Sequence, residues 1–302
     1  MTKRSLIALL GVLLMPALVY AASEGHFDRT LSVSGAVTLD VTTGSGDITI
    51  KNGSANQVVI HATVRSNHWM LGGSDEAVQH VQSNPPIEQN GSSIRIGYNL
   101  PTDIQRRVSI SYEITLPPDT ALQAHSGSGN IDATGVRREA QLTTGSGDIR
   151  ARDLGQGLHA QTGSGGIRVE GVAAPFTAQT GSGEIEASLM GSGDIDVHTG
   201  SGSIQVRGVK GGVRAQTGSG NIELAGGVGG PWEVHSGSGN ISLAVGSGSN
   251  FNLTARTNSG SIHSDLPITV QGSVGSKQLT GKVGSGGPEV EASTSSGDVE
   301  IR

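Results

Sequence analysis

The chain has 302 residues, 48 of them glycine, with 3% aromatic residues, no cysteine and a formal net charge of −6. The absence of cysteine excludes disulfides, thiolate metal sites and cysteine nucleophiles. The acidic balance argues against nucleic acid or an anionic membrane as partner, and the glycine lacks the strict triplet period of collagen.

The first residues, Thr2-Lys3-Arg4, an apolar run from Leu6 to Val19 and Val19-Tyr20-Ala21, have the three parts of a secretory signal peptide. Residues 1–21 are therefore expected to be removed, leaving an exported chain that starts at Ala22. The apolar run is shorter than the roughly 20 residues that a bilayer span needs, and Pro16 interrupts it. No other stretch is apolar enough to cross, so no transmembrane segment is expected in the mature chain. Export without disulfides leaves packing and backbone pairing to hold the fold.

Residues 22–120 are expected to hold the N-terminal rungs of a repeat and a capping insertion. Phe27 to Ile50 alternates apolar and polar residues and contains one full Gly-Ser-Gly-Asp-Ile, as first rungs would. The insertion that follows carries a short helix over 74–83, "SDEAVQHVQS", with Ser74 as cap, Asp75 and Glu76 at the positive end of the dipole, and Ala77, Val78 and Val81 as a small apolar face. Asn84-Pro85-Pro86 stops the helix, and strands are expected at Ser93–Gly97 and Arg107–Leu116.

Residues 121–302 are dominated by one motif. Gly-Ser-Gly-x-Ile begins at Gly44, Gly127, Gly145, Gly163, Gly181, Gly191, Gly200, Gly218 and Gly237, with degenerate copies at Asn258, Gly284 and Ser295. From Gly127 the steps are 18, 18, 18, then 10 and 9, then 18 and 19. A fixed period near 18 marks a solenoid, and the half-step at Gly191 divides each rung into two similar halves. Strict alternation on both sides of each motif predicts strands with one buried face. Stacking them places Ile131, Ile149, Ile167, Ile185, Ile204, Ile222 and Ile241 in one internal column. Ala133, Ala151, Val169, Ala187, Val206, Leu224 and Leu243 form a second. Thr144, Thr162, Thr180, Thr199 and Thr217 form a third, whose hydroxyls are placed to hydrogen-bond along the stack. Val172 and Val209 follow a glycine at a second corner and are expected to point inward. The predicted fold is all-β: a parallel β-helix, or β-solenoid, of ~18-residue rungs with a small helix-containing N-terminal insertion. Ser264 to Gly287 is irregular, and the last strand, Asp298-Val299-Glu300-Ile301-Arg302, is expected to be an exposed edge, its charges either guarding it or making it a docking edge.

The corners offer three chemical readings, and the sequence weakens each. The residue after the second glycine is Asp at 47, 148, 194 and 298, as in a calcium-binding β-roll, but Asn at 130, 221 and 240, Glu at 184, Ser at 203 and 261, and Gly at 166 and 287. A carboxylate cage would not tolerate Gly or Ser there, so a solvent-facing turn position is expected. No serine has glycine at both −2 and +2, so the nucleophile elbow of a hydrolase is absent. Gly281-Lys282 is followed by Val283, so no phosphate loop is present. His125, His198 and His235 fall in the outward column otherwise filled by Gln161, Gln179 and Gln216, in rungs that are not consecutive. No catalytic, cofactor or metal residue is assigned, and no cofactor is expected.

The opening "FDRTLSVSGAVTLDVTTGSGDITI", the middle "NPPIEQNGSSIRIGY", the bridge "VSISYEITLPPDTALQAHSGSGNIDATG" and the rungs that follow resemble a bacterial family. It is the "putative adhesin" family of β-strand repeat proteins, a domain of unknown function, and the likeness covers essentially the whole mature chain. The resemblance implies an extracytoplasmic β-solenoid without known catalytic residues. The expected function is thus a non-enzymatic, adhesin-like interaction scaffold in the periplasm, on the cell surface or secreted, its partner a protein or a cell-surface glycan. The alternative is a carbohydrate-binding or polysaccharide-acting β-helix protein that uses the insertion near Trp69, with Asp103, Arg106 and Arg107.

Overall fold

The structure is a computed structural model that describes residues 24–67, 74–173, 175–270 and 275–302. The expected signal peptide and Trp69 lie outside the described residues. Among those described, no helix is long and apolar enough to cross a membrane.

The N-terminal part contains β1 (Glu24–Ser32), β2 (Val37–Thr43), β3 (Ile48–Asn52), β4 (Gln57–Ser66), α1 (Ser74–Ser83), β5 (Ile87–Asn90), β6 (Ser93–Ile96), α2 (Thr102–Gln105) and β7 (Val108–Leu116). The repeats follow in pairs: β8 (Thr120–Ser126) and β9 (Ile131–Thr134), β10 (Ala140–Thr144) and β11 (Ile149–Arg152), β12 (Leu158–Thr162) and β13 (Ile167–Val172). Next come β14 (Phe176–Thr180) and β15 (Ile185–Leu189), β16 (Ile195–Ser201) and β17 (Ile204–Val209), β18 (Val213–Ser219) and β19 (Ile222–Gly226), and β20 (Trp232–Ser238) and β21 (Ile241–Val245). The chain closes with β22 (Phe251–Ser259), β23 (Ile262–Ser264), β24 (Ile268–Val270), β25 (Gln278–Val283), β26 (Glu289–Ser296) and β27 (Val299–Ile301).

These strands make two long sheets, each rung giving one strand to either sheet. The first sheet runs β1-β4-β7-β3-β9-β11-β13-β15-β17-β19-β21-β27-β23 and the second β24-β25-β22-β26-β20-β18-β16-β14-β12-β10-β8-β2-β6-β5. Rung-to-rung pairing is parallel and in register, so the expected isoleucine column forms: Ile131, Ile149, Ile167, Ile185, Ile204, Ile222 and Ile241 align strand to strand and are buried. The Ala133–Leu243 column lies beside it, and Val172 and Val209 are buried at the second corner. From the facing sheet come Leu158, Phe176, Ile195, Val213 and Trp232. Phe176 and Trp232 fill width that smaller neighbours leave, and the Trp232 indole N–H donates to the Gly211 carbonyl at 3.1 Å. Trp232 is therefore core and offers no platform for a sugar.

The half-step at Gly191 falls where two-fold similar halves require it. Gly191-Ser192-Gly193-Asp194 turns the chain from β15 into β16, the corner opposite the other Gly-Ser-Gly turns. Helix α1 buries Ala77, Val78 and Val81, the face its sequence marks as apolar, and packs against β1, β4 and β7.

Both ends depart from the sequence reading. β1 belongs to no rung: it pairs antiparallel with β4, which pairs antiparallel with β7, so the first sheet continues beyond β3 through β7 with antiparallel strands. At the far end, the last strand is not an edge. β27 lies between β21 and β23, and β26 between β20 and β22. The chain passes through the rung of β22 and β23 and returns to insert its final rung inside it. Glu300 therefore belongs to an interior strand, and Asp298 to the corner that leads into it. The edges at this end are the three-residue strands β23 and β24, short enough to offer little template for edge-to-edge pairing.

Candidate functional site

Among the described residues no group of three or more His, Asp or Glu side chains is placed to hold a metal ion, and the candidate site is built from the outward columns and the corners. The inward threonines define the first corner. Thr162 Oγ1 donates to the Gly147 carbonyl of the preceding rung at 2.8 Å and accepts from the Gly165 N–H of its own turn at 3.2 Å. Thr144 and Thr180 repeat both bonds, while Thr199, Thr217 and Ser236 repeat the bond to the preceding rung. The hydroxyls do bond along the stack, though to backbone and not to one another. The glycines follow from the same closeness. A Cβ on Gly147, Gly165, Gly183 or Gly220 would lie well under 3.0 Å from the carbonyl oxygen of the equivalent glycine one rung back. Close approach between rungs demands glycine here, and these positions do not have the positive φ that would otherwise require it.

The variable residue after the second glycine does more than face solvent. Asp47 Oδ1 accepts from the Asn130 N–H (2.8 Å), Asn130 Oδ1 from Asp148 (2.9 Å), and Asp148 Oδ1 from Gly166 (2.9 Å). Further along, Ser203 Oγ accepts from Asn221, Asn221 Oδ1 from Asn240, Asn240 Oδ1 from Asp298, and Asp298 Oδ1 from Ser261. The order 240–298–261 follows the stack, not the chain. At the opposite corner Asp194 Oδ1 accepts from Gly212 N–H at 3.1 Å. Aspartate, asparagine and serine are interchangeable here because the position asks only for a short side chain bearing an acceptor. That shared property is the signal the sequence carries for a position expected only to face solvent.

Both outer faces carry ion pairs, those of the second sheet including Arg214 with Glu233 (2.9 Å) and Arg256 with Glu291 (3.5 Å). On the first sheet, ion pairs run between rungs: Arg152 with Glu170 (3.4 Å), Arg168 with Glu186 (2.7 Å) and, at the N-terminal end, Lys51 with Glu113 (2.5 Å). These are exposed pairs and add little stability each. The Lys51 ammonium holds the Glu113 carboxyl below the usual carboxylate range, and Glu186 raises the pKa of Arg168. On the second sheet, one outward column reads Thr42, His125, Thr143, Gln161, Gln179, His198, Gln216, His235 and Ser293 across nine successive rungs before Arg256 ends it. At the inter-strand spacing of about 4.8 Å it extends roughly 40 Å without an acidic or permanently basic side chain. The three histidines stand in the outward column where the alternation put them. His235 Nδ1 shares a hydrogen bond with Ser293 Oγ.

Two features border this column. Near its N-terminal end, the Tyr98 hydroxyl donates to Asp40 Oδ1 at 2.6 Å, and the Arg95 guanidinium lies 4.1 Å from the Tyr98 ring centroid. Partial desolvation, then the hydrogen bond to Asp40, pushes the Tyr98 pKa up to about 12. Farther along, Pro175, Thr177, Asp196, Arg214, Pro231 and Glu233 line an open groove of about 400 Å³. Of the residues expected around Trp69, Asp103 lies in the one-turn helix α2, and Arg106 and Arg107 follow it, all exposed.

This geometry defines a class, a parallel β-solenoid with antiparallel strands at its N-terminal end and one long outward column without permanent charge. The chain belongs to the Toastrack DUF4097 family, whose model matches residues 78–302. No curated protein matches the sequence. Solved structures similar to the chain include a "putative adhesin" from Bacteroides fragilis, at 12% identity and TM-score 0.35, covering 92% of this chain and 97% of the other. A "putative cell adhesion protein" from Clostridium sporogenes is 12% identical at TM-score 0.24, covering 92% and 99%. A "putative lipid binding protein" from Parabacteroides distasonis is 10% identical at TM-score 0.26, covering 92% and 96%.

Proposed function

We propose that the chain is an exported, non-enzymatic interaction scaffold, adhesin-like, acting in the periplasm or at the cell surface through one outward column of its second sheet that carries no permanent charge. The observation that carries this reading is the nine-rung column from Thr42 to Ser293. Charged residues are depleted at the centres of protein interfaces because their desolvation is costly. A long row of amides, hydroxyls and imidazoles offers donors and acceptors at low desolvation cost, while the charged columns beside it and on the first sheet favour solubility. The groove between Pro175 and Pro231 adjoins the column and adds depth to an otherwise flat surface. Membership of a family without assigned catalysis is consistent with a binding role.

The test is cell fractionation followed by binding of the purified protein to whole cells and isolated envelopes. Wild type is expected in the extracytoplasmic fraction and bound to envelopes. The triple substitution Gln161→Glu, Gln179→Glu and Gln216→Glu should weaken binding about tenfold or more, and Lys51→Gln with Glu113→Gln, an ion pair on the other face, should leave it unchanged. Cytoplasmic retention, or equal binding by both variants, would overturn the proposal.

A further inference from the structure

The corner ladder has a missing tooth. Gly166 has no side chain, so the chain of acceptors that passes through Asp47, Asn130 and Asp148 stops at it. Among the described residues nothing accepts from the backbone N–H of Glu184, and the exposed Glu184 side chain in turn does not accept from Ser203 N–H. The ladder resumes with Ser203. Two adjacent rungs therefore present unaccepted N–H groups in a column where the rungs on either side have them capped.

The backbone does not require glycine at 166. A Cβ there would meet Glu184 O at 3.5 Å and Asp148 Oδ1 at 3.8 Å, ordinary van der Waals contacts, and its φ is outside the left-handed region. This contrasts with Gly165, which has no room for a Cβ. The gap coincides with a depression of about 120 Å³ lined by Asp148, Arg150, Arg168, Glu184 and Glu186. The Arg150 guanidinium is held by Asp148 at 3.2 Å and that of Arg168 by Glu186 at 2.7 Å. Three carboxylates against two paired guanidiniums disfavour an anion. The ladder's acceptors are carboxylates at 47, 148 and 298, a hydroxyl at 203 and amide carbonyls at 130, 221 and 240. Beside three carboxylates the missing one has to be neutral, and the amide carbonyl is the neutral acceptor the ladder uses most.

We infer that the gap at Gly166 is a binding site for the acetamido group of an N-acetylated sugar, whose carbonyl takes the place of the absent asparagine amide and accepts from the Glu184 N–H. The surrounding carboxylates of Asp148, Glu184 and Glu186 are acceptors for the hydroxyls that such a sugar carries and that an acetylated peptide backbone lacks. The inference rests on the reading of the chain as an interaction scaffold and names one contact of that scaffold.

The experiment is an amide ¹⁵N–¹H titration of the purified protein with tri-N-acetylchitotriose, the fully de-N-acetylated trimer and N-acetyl-alanyl-alanine amide. Saturable shifts of the Glu184 and Ser203 amide signals with the acetylated sugar alone are expected. Gly166→Asn, which restores the ladder acceptor, should keep or raise the melting temperature and weaken the apparent affinity about tenfold or more. Gly166→Ser is the second variant; it supplies a hydroxyl acceptor like that of Ser203 and should do the same. No shift with the acetylated sugar, equal shifts with the deacetylated trimer, shifts with the peptide but not the sugar, or unchanged binding in both folded variants would each overturn the assignment. Envelope binding that persists without these shifts would remove this site and leave the scaffold reading standing.

Discussion

The hydroxyl of Thr162 joins two rungs: it donates to the carbonyl of Gly147 at 2.8 Å while the Gly165 N–H donates to it. One buried side chain thereby satisfies two backbone groups that the tight corner takes out of the sheet ladder. Thr162→Val preserves shape and removes both bonds. The cost expected is about 1–3 kcal/mol, that of leaving buried backbone groups unpaired. Gln161→Ala, one residue away on the exposed face, should change stability by no more than about 0.5 kcal/mol. Urea unfolding of the two variants beside wild type checks the contrast.

Adjacent glycines should respond in opposite ways. A Cβ on Gly165 would overlap the Gly147 carbonyl, and the neighbour is backbone that cannot swing aside. Gly165→Ala is expected to cost about 3 kcal/mol or more, at the upper end of overpacking. Gly166→Ala meets only van der Waals contacts and should be neutral or stabilising by up to about 1 kcal/mol, through the entropy lost from the unfolded chain. Equal destabilisation by both would contradict the inter-rung geometry.

The inserted last rung predicts an unusual pattern of hydrogen exchange, because chain termini commonly fray. Here the Val299 N–H donates to Ser261 O on one side and the Arg302 N–H to Leu243 O on the other. These two amides should exchange about tenfold or more slowly than those of Ile268–Val270 in the edge strand β24. Exchange at 299 and 302 as fast as at 268–270 would mean that the last rung is not held between its neighbours.

Asp298 gives a pH dependence with a definite sign. Its carboxylate accepts from both the N–H and the hydroxyl of Ser261, at 2.7 and 2.8 Å, which holds its pKa below the usual carboxylate range. A carboxyl with a depressed folded-state pKa contributes stability that is fully present above its unfolded value, about 3.9, and is lost as pH falls through the folded value. Carboxyl-detected NMR should place its midpoint below about 3.9, and Asp298→Asn should flatten the acid limb of the stability curve. A midpoint at or above the unfolded value would show that the bonds to Ser261 do not form in solution.

Much of this architecture is legible without coordinates, because a solenoid repeats one local solution. The 18-residue step places Ile131 beneath Ile149 and Ile167, and alternation alone decides that Gln161 and His198 face outward while Ala160 and Val197 face inward. The glycine corners are equally visible, but their cause is not. Backbone freedom and backbone crowding leave the same letter in a sequence, and only the stacked carbonyls of Gly129, Gly147 and Gly165 separate them. The acceptor ladder was hidden for a related reason. Asp, Asn and Ser read as variation until a neighbouring N–H shows what they have in common, and only then does Gly166 stand out as a gap.

By itself the sequence determined the rung, its two sheets, its buried columns and its corners, since each depends on contacts between residues near in sequence or one period apart. Only the tertiary structure decided the order of the last rungs. Val290, Ala292, Thr294, Val299 and Ile301 follow the same pattern as every other rung, so local chemistry would accept them at any level of the stack. Long-range pairing places them between β20–β21 and β22–β23, where both sides of the final strands are hydrogen-bonded, and leaves the short strands β23 and β24 at the edge.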